Sequence, residues 1–151
     1  MPTAYVDVPP GLGMEGKAKM MKKLTDFLHK AYLIEDNRIL LREWTADQYS
    51  IDNEVGAPFR PIVTFVVPPG LPIEKKRELV RGVYTAIAEA YNLPKYDVPL
   101  PSGKVVSTNW VLGFFREHAL DQAALDDLMA VDNPMVLESL EVAYQDTKPV
   151  A

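Results

Sequence analysis

The sequence predicts an α/β fold (an α+β two-layer sandwich), in which a four-stranded sheet packs against helices on one face and a helical tail follows. Three observations lead to this prediction: an internal repeat, an extended apolar segment at the start of each copy, and a helix with one apolar face after it. The 151 residues are enough for one domain with its own core and few for two.

The repeat aligns the segment that starts at Pro2 with the segment that starts at Pro61, without any gap. Pro-Pro-Gly-Leu at 9–12 recurs at 68–71, and Ala-Tyr at 31–32 recurs at 90–91. Such a register predicts two structurally equivalent units within one domain. We place the boundaries in four parts, which are repeat one 2–44, linker 45–60, repeat two 61–115 and tail 116–151.

Each unit is predicted to be a strand, a crossover helix and a second strand. The first strand, Thr3–Val8, ends at the Pro-Pro-Gly turn, where proline fixes φ and glycine permits a reversal. The helix after it carries apolar residues with the spacing of one buried face. The second strand is predicted at Arg38–Trp44 and, in the second copy, at Lys104–Trp110. Two strands joined by one crossover helix are expected to run parallel in a right-handed unit.

The linker and the tail show less of the hydrophobic periodicity that predicts strands and helices. The polar segment 45–60 is predicted to hold a short hairpin. The tail is predicted to be helical, first around Leu120–Ala130 and then from Pro134, because proline is favoured in a first helical turn.

Composition excludes several classes of function. The chain has no cysteine and two histidines without metal-ligand spacing, so disulfides and thiolate sites are excluded and no metal site is expected. A formal net charge of -5 without a basic block predicts no nucleic-acid partner. No apolar run reaches membrane-spanning length and no signal peptide is recognisable, so we expect no membrane association and a cytoplasmic location.

Pro2 is the first candidate for chemistry. Removal of Met1 would leave a secondary amine at the start of a strand, whereas a retained Met1 would block that nitrogen as an amide. An α-amino group titrates near pH ~8, and burial or nearby cations would lower its pKa towards the range that suits a general base. Pro61 occupies the same place in the second copy, but it is a tertiary amide inside the chain and cannot act as a base.

A Pro-initiated β-α-β unit present twice in one chain resembles the tautomerase superfamily, which includes 4-oxalocrotonate tautomerase and cis-3-chloroacrylic acid dehalogenase. The resemblance covers about residues 2–115. It implies a homotrimer that moves a proton between the enol and keto forms of a small 2-oxo or 2-hydroxy carboxylic acid. It also implies Pro2 as general base and acid, and no cofactor.

The same resemblance suggests which cations bind the substrate. The pattern Arg-Ile-Leu-Leu-Arg-Glu from Arg38 to Glu43 is similar to one in 4-oxalocrotonate tautomerase, so Arg38 is implied to hold a carboxylate and stabilise the enolate. Arg42 shares its strand face and is a lesser candidate. The family's arginine after the turn glycine is absent, because Leu12 stands there. Lys104, which aligns with Arg38 across the repeat, is a candidate substitute.

A second enzymatic hypothesis involves an activated water. His29 lies where cis-3-chloroacrylic acid dehalogenase carries an active-site histidine, and Glu117 lies in the region from which some relatives draw a carboxylate. These two residues keep open a hydratase-type dehalogenase or a decarboxylase of a three-carbon acid. The helical wheel, in contrast, directs His29 towards solvent. A third hypothesis is a noncatalytic assembly or binding protein with the same fold.

Overall fold

The computed structural model describes residues 1–145, in which three α-helices accompany one four-stranded sheet and three short hairpins. The helices are α1 (Met14–Tyr32), α2 (Ile73–Ala90) and α3 (Pro134–Ala143). The strands of the main sheet are β1 (Thr3–Val8), β2 (Arg38–Glu43), β5 (Ile62–Val67) and β8 (Leu112–Glu117). The hairpins are formed by β3 (Ser50–Ile51) with β4 (Glu54–Val55), β6 (Tyr96–Pro99) with β7 (Val105–Thr108), and β9 (Ala124–Leu125) with β10 (Leu128–Met129).

The main sheet has the strand order β2-β1-β5-β8. Within each unit the two strands are parallel, as predicted, and the two central strands β1 and β5 are antiparallel. Thr3 faces Arg38 on one side and Val66 on the other, which places the start of β1 beside the end of β5. The two units are therefore related by an approximate twofold axis that passes between the central strands.

One face of the sheet is covered by α1 and α2 and forms the core. Alternate residues of β1 and β5 point into it, because side chains alternate between the faces of a strand. The core consists of strand and helix residues from both units, including Val6, Val8, Leu24, Leu28, Val63, Phe65, Leu79, Val83 and Ile87. This arrangement confirms the predicted two-layer α/β architecture.

The opposite face of the sheet, here called the open face, is not covered by any described helix. It carries Leu40, Leu112 and Phe114, and Phe114 is 50% exposed. Exposed apolar side chains grouped on one sheet face are typical of a surface that packs against another protein chain.

The second strand of the second unit differs from the prediction. It is β8 at Leu112–Glu117, and the predicted segment Lys104–Trp110 instead contributes β7 to a hairpin. The backbone N–H of Arg38 donates to the carbonyl of Pro2 at 3.0 Å, and that of Leu112 donates to Pro61 at 3.0 Å. The counterpart of Arg38 is therefore Leu112, and the alignment with Lys104 is wrong. The hairpin β6–β7 is an insertion that the first unit lacks.

The repeat also continues beyond the second strands. The string Asp47-Gln48, two residues before β3, corresponds to Asp121-Gln122 before β9. Each string lies in its own 3₁₀ turn. The hairpin predicted in the linker is confirmed as β3–β4. The helix predicted around Leu120–Ala130 is wrong, because the chain forms the equivalent hairpin β9–β10 there. Asp126 adopts φ 54° at its turn, a conformation that no α-helix contains.

The helix predicted from Pro134 is confirmed as α3. Asn133 caps it by accepting a hydrogen bond from the Met135 N–H at 3.0 Å, and Pro134 occupies the first turn. The buried residues Val136, Leu140 and Ala143 hold α3 against the body. The end of the predicted tail, 146–151, lies outside the described residues. Within residues 1–145 no helix is long and apolar enough to cross a membrane.

Candidate active site

A cavity of about 270 Å³ opens at the N-terminal end of β1. It forms where the start of β1, the start of β2 and the hairpin β9–β10 meet, so both units contribute to its wall. Its lining includes Met1, Thr3, Asp36, Arg38, Val66, His118, Gln122 and Leu125. Of the residues proposed from the sequence, Arg38 lines this cavity, and Pro2 follows Met1 at its edge.

The terminal amine is held at this cavity by backbone oxygens. The Met1 amine donates to the carbonyl of Glu35 at 3.0 Å and to the carbonyl of Asp36, whose carboxylate lies 3.7 Å away. Burial lowers the pKa of this amine, the negative charge of Asp36 raises it, and the positive charge of Arg38 lowers it again. Because Pro2 is an amide while Met1 is attached, its nitrogen becomes basic only after Met1 is removed.

Arg38 begins β2, and its guanidinium is paired with a residue of the preceding loop. Its Nη2 lies 3.1 Å from the Asp36 carboxylate, and its Nε donates to the same group at 3.3 Å. The hydrogen bond from Arg38 is the main cause of a lowered pKa at Asp36. Asp36 adopts φ 64°, which aspartate tolerates better than most residues. This single ion pair leaves other donors of the guanidinium available for an anion.

His118 and Gln122 also line the cavity, and the sequence interpretation did not place them there. His118 follows β8, and its backbone N–H donates to the Val67 carbonyl at 3.0 Å, as Trp44 does to Val8. The His118 Nδ1 lies 3.2 Å from the Ala119 carbonyl. A carbonyl only accepts, so a hydrogen bond here requires the proton on Nδ1 and leaves Nε2 of a neutral ring as the acceptor. The signal for both residues was the string Arg-Glu-x-x-x-Asp-Gln, which ends at Gln48 in one copy and at Gln122 in the other.

Two other proposed residues lie away from this cavity on the first unit. His29 pairs with Glu35 at 3.1 Å on the outer side of α1, with a side chain 43% exposed. Arg42 shares the open face with Arg38, but it lies near the opposite end of the sheet. There it makes two hydrogen bonds of 2.8 Å with the buried Asp7, which also accepts from the Trp44 indole at 2.7 Å.

Lys104 and Glu117 also lie apart from the cavity lining. Lys104 belongs to the exposed turn of the inserted hairpin. Glu117 ends β8 and pairs with Lys76 of α2, and Glu43 pairs with Lys17 of α1 in the same way. The twofold repetition of this strand-to-helix ion pair indicates a structural contact that both units share. Among residues 1–145, no group of three His, Cys, Asp or Glu side chains is arranged to hold a metal ion.

The sequence itself matches no family model and no curated protein. Several solved structures are nevertheless similar. A fused 4-OT described as a wild-type asymmetric trimer matches with a TM-score of 0.70 at 20% identity, over 86% of this chain and 97% of its own. A member of the cis-3-chloroacrylic acid dehalogenase family matches with a TM-score of 0.66 at 14% identity, over 85% of this chain and 83% of its own. A third structure, Pt0534 inactivated by 2-oxo-3-pentynoate, matches with a TM-score of 0.64 at 16% identity, over 86% of this chain and 98% of its own. These likenesses confirm the fold that the sequence resemblance predicts.

Proposed function

The chain has the tautomerase fold, and on this premise we propose that it is a cofactor-independent isomerase of a small 2-oxo or 2-hydroxy carboxylic acid. The observation that carries the proposal is the cavity at the start of β1, where the N-terminus, Arg38 and His118 meet. A base, a carboxylate-binding cation and a cavity of small-molecule size are the parts that enol–keto proton transfer requires.

Pro2 moves the proton. Once Met1 is removed, the Pro2 nitrogen is a secondary amine in the same partly buried environment, near Arg38 and Asp36. Burial and the positive charge of Arg38 both favour the neutral amine, as they do at Met1. The neutral amine takes the proton from the hydroxyl of the enol, and the resulting ammonium returns a proton to carbon. The net result is the keto acid and an unchanged enzyme.

Arg38 binds the substrate carboxylate and stabilises the negative charge that develops on oxygen during the transfer. The cavity has one arginine in its lining and a volume of about 270 Å³. We therefore expect a substrate with a single carboxylate near the reacting carbon, in preference to a dicarboxylate that needs two cations.

We further propose a homotrimer. The fused 4-OT neighbours include chains described as symmetric and asymmetric trimers. The open face of this chain exposes Leu40 and Phe114, and an assembly of like subunits would cover them.

The test is the ultraviolet-monitored ketonisation of phenylenolpyruvate and of 2-hydroxymuconate by protein whose N-terminus has been confirmed by intact mass. Wild type is expected to accelerate the monoacid more than the diacid. Pro2→Ala is expected to lose about 10²-fold or more of kcat/KM, and Arg38→Gln about 10²-fold through KM and kcat together. Glu117→Gln is the matched control and should keep its activity, because Glu117 pairs with Lys76 away from the cavity. A correctly processed wild type that accelerates neither enol contradicts the proposal.

A second, independent measurement uses 2-oxo-3-pentynoate, the compound that inactivates the neighbour Pt0534. An amine adds to the activated alkyne of this reagent, so a neutral Pro2 at neutral pH should gain the mass of one reagent molecule. Peptide mapping should place the adduct on Pro2 and find none in Pro2→Ala. Labelling of lysine side chains at the same rate as Pro2 would count against a specially reactive amine.

The placement of His118 favours one alternative reaction. Its free Nε2 could activate a water, with a protonated Pro2 as the acid, which gives hydration or hydrolytic dehalogenation of a three-carbon acid. A haloacrylate assay separates the two reactions: loss of halide release in His118→Ala, with enol ketonisation retained, supports the water mechanism. Equal loss of both activities assigns His118 to substrate binding.

A further inference from the structure

A second cavity, larger than the first, lies at the other end of the main sheet. It has a volume of about 500 Å³ and is here called the Pro61-end cavity, because it opens beside the start of β5. Its wall is mostly apolar and aromatic, and the residues that matter below are Tyr49, Phe59, Arg60, Trp110 and Leu112.

The two cavities are counterparts under the internal repeat. Arg60 precedes Pro61 as Met1 precedes Pro2, and Ile62 stands where Thr3 stands. In each cavity one wall is a hairpin of the other unit: residues 49–51 line the Pro61-end cavity, and residues 123–125 line the cavity at Pro2. The Pro61-end cavity is therefore a duplicated site. It has the same position relative to the strands of the second unit as the other cavity has relative to the strands of the first.

The chemistry of the two cavities has diverged. Pro61 is an internal amide and offers no amine, and Leu112 replaces the counterpart of Arg38. The amine that would transfer the proton and the counterpart of the arginine that would hold the substrate carboxylate are therefore both absent from this end. This cavity is built on the same plan but is larger and has a mostly apolar wall, which indicates binding without proton transfer.

Trp110 shows how this cavity has been reshaped. It is the counterpart of Asp36, and both residues have a positive φ, 64° at Asp36 and 61° at Trp110. Aspartate adopts this conformation readily, whereas it strains a bulky aromatic residue, and such strain persists only where the surrounding structure holds it. The strained backbone places a large aromatic ring in the cavity lining where the other cavity has a carboxylate.

Arg60 supplies the one charged side chain in this cavity's lining. Its guanidinium lies 4.5 Å from the centre of the Trp110 ring. Its ion-pair partner among residues 1–145 is Asp52 at 3.3 Å, whose side chain is 86% exposed. An exposed pair of this kind contributes little, so an incoming anion can displace Asp52 at small cost.

We propose that the Pro61-end cavity binds a planar aromatic carboxylate without reacting with it. The ring packs among Trp110, Tyr49 and Phe59, and the carboxylate pairs with Arg60 in place of Asp52. The aromatic walls give the binding energy and the single cation gives preference for a mono-anion. This binding does not depend on Pro2, so it stands whether or not the proposed isomerase activity is found.

The experiment is a titration of uniformly ¹⁵N-labelled, fully assembled protein with 2-naphthoate, followed through the indole N–H signals. The chain has two tryptophans, and the signal missing from Trp110→Asn identifies Trp110. Asparagine tolerates positive φ, so this variant is expected to remain folded. Wild type should show a saturable shift of the Trp110 signal, and calorimetry should show binding at least about 10-fold weaker in Trp110→Asn.

Arg60→Gln tests the recognition of charge. It should weaken 2-naphthoate by about 5-fold or more and leave the neutral 2-naphthamide within about 2-fold of wild type. Arg38→Gln is the matched control at the other cavity and should leave the Trp110 shift unchanged. The proposal is overturned if wild type shows no saturable Trp110 shift, if Trp110→Asn binds as wild type does, or if Arg38→Gln abolishes the shift. Equal weakening of both ligands in Arg60→Gln overturns carboxylate recognition.

Discussion

At the scale of single residues, the cavity at Pro2 is defined by a few charges close to one amine. At the Met1 amine, burial and the positive charge of Arg38 lower the pKa, and the negative charge of Asp36 raises it. The Pro2 amine of the processed protein would lie near the same two charged residues. Asp36 is also paired with Arg38, so removal of its carboxylate would lower the pKa of the amine in two ways. The amine loses a nearby negative charge, and Arg38 loses the partner that offsets its positive charge.

We therefore predict that Asp36→Asn lowers the pKa of the Pro2 amine in the processed protein. An amine with a lower pKa is free base down to a lower pH, so the acid limb of kcat/KM against pH should move to lower pH. The pKa itself can be followed by NMR with ¹⁵N-labelled proline. Arg38→Gln is the matched opposite and should raise the pKa in the same titration. A shift of the same sign in both variants would contradict this electrostatic account.

The sequence predicted part of this site. Pro2 was proposed because a proline after Met1 begins a duplicated β-α-β unit, and Arg38 because residues 38–43 resemble a pattern of 4-oxalocrotonate tautomerase. His118 and Gln122 were not recognised, because their approach to Pro2 depends on how the second unit returns across the first. Glu117 was considered from the same short segment, but alternation along β8 turns it towards Lys76 and away from the open face.

At the scale of elements, the predicted strands and helices were correct in residues 2–44 and 61–91, whereas the helix predicted around Leu120–Ala130 was wrong because the hairpin β9–β10 forms there. The prediction failed at the inserted hairpin. Lys104–Trp110 has the initial cation, the apolar run and the final tryptophan of Arg38–Trp44, so pattern alone could not reject it. Only the continuation after β8 distinguishes the two alignments, because the Asp-Gln string recurs at the right distance from Leu112 and at the wrong distance from Lys104.

The packing of α1 on α2 depends on a glycine that the sequence interpretation did not use. A Cβ added at Gly82 would lie 2.3 to 2.5 Å from the ring of Phe27. The absence of a side chain on α2 therefore allows the aromatic ring of α1 to lie directly against its backbone.

We predict that Gly82→Ala destabilises the protein by about 1–2 kcal/mol, because overpacking against Phe27 outweighs the gain of about 1 kcal/mol in helix propensity. Gly16→Ala in α1 is the control, since its Cβ would meet only the flexible end of Leu12. That variant should be as stable as wild type or more stable by up to about 1 kcal/mol. Urea unfolding measures the free energy of unfolding of the two variants and of wild type. A Gly82→Ala variant as stable as wild type would show that Phe27 moves aside freely.

At the scale of the whole molecule, the open face is the surface on which the proposed trimer would assemble. Two strands of this face, β2 and β8, are the edges of the main sheet, and both carry exposed apolar side chains. The helices cover the other face, so the apolar surface of the open face is left for other subunits.

We predict that Phe114→Glu abolishes the proposed trimer, because the open-face contact we propose would bury the new carboxylate without a partner. Light scattering after size exclusion should then give the chain mass of 16.9 kDa in place of three times that mass. Val142→Glu on α3 is the control, since this residue is 54% exposed on the helical side. An unchanged trimer in Phe114→Glu would place the subunit contact elsewhere.

The exchange of hairpins between the two units has a consequence for how this chain can change over generations. Each cavity takes its proline end from one half and its closing wall from the other, so neither half holds a complete cavity. A substitution at Leu125 in the second half therefore alters the cavity at Pro2, and one at Ile51 in the first half alters the cavity at Pro61. The two halves are copies of one unit, yet a substitution in the hairpin of one half changes the cavity at the proline of the other half. The two halves are therefore constrained together, and loss of either half would remove both cavities at once.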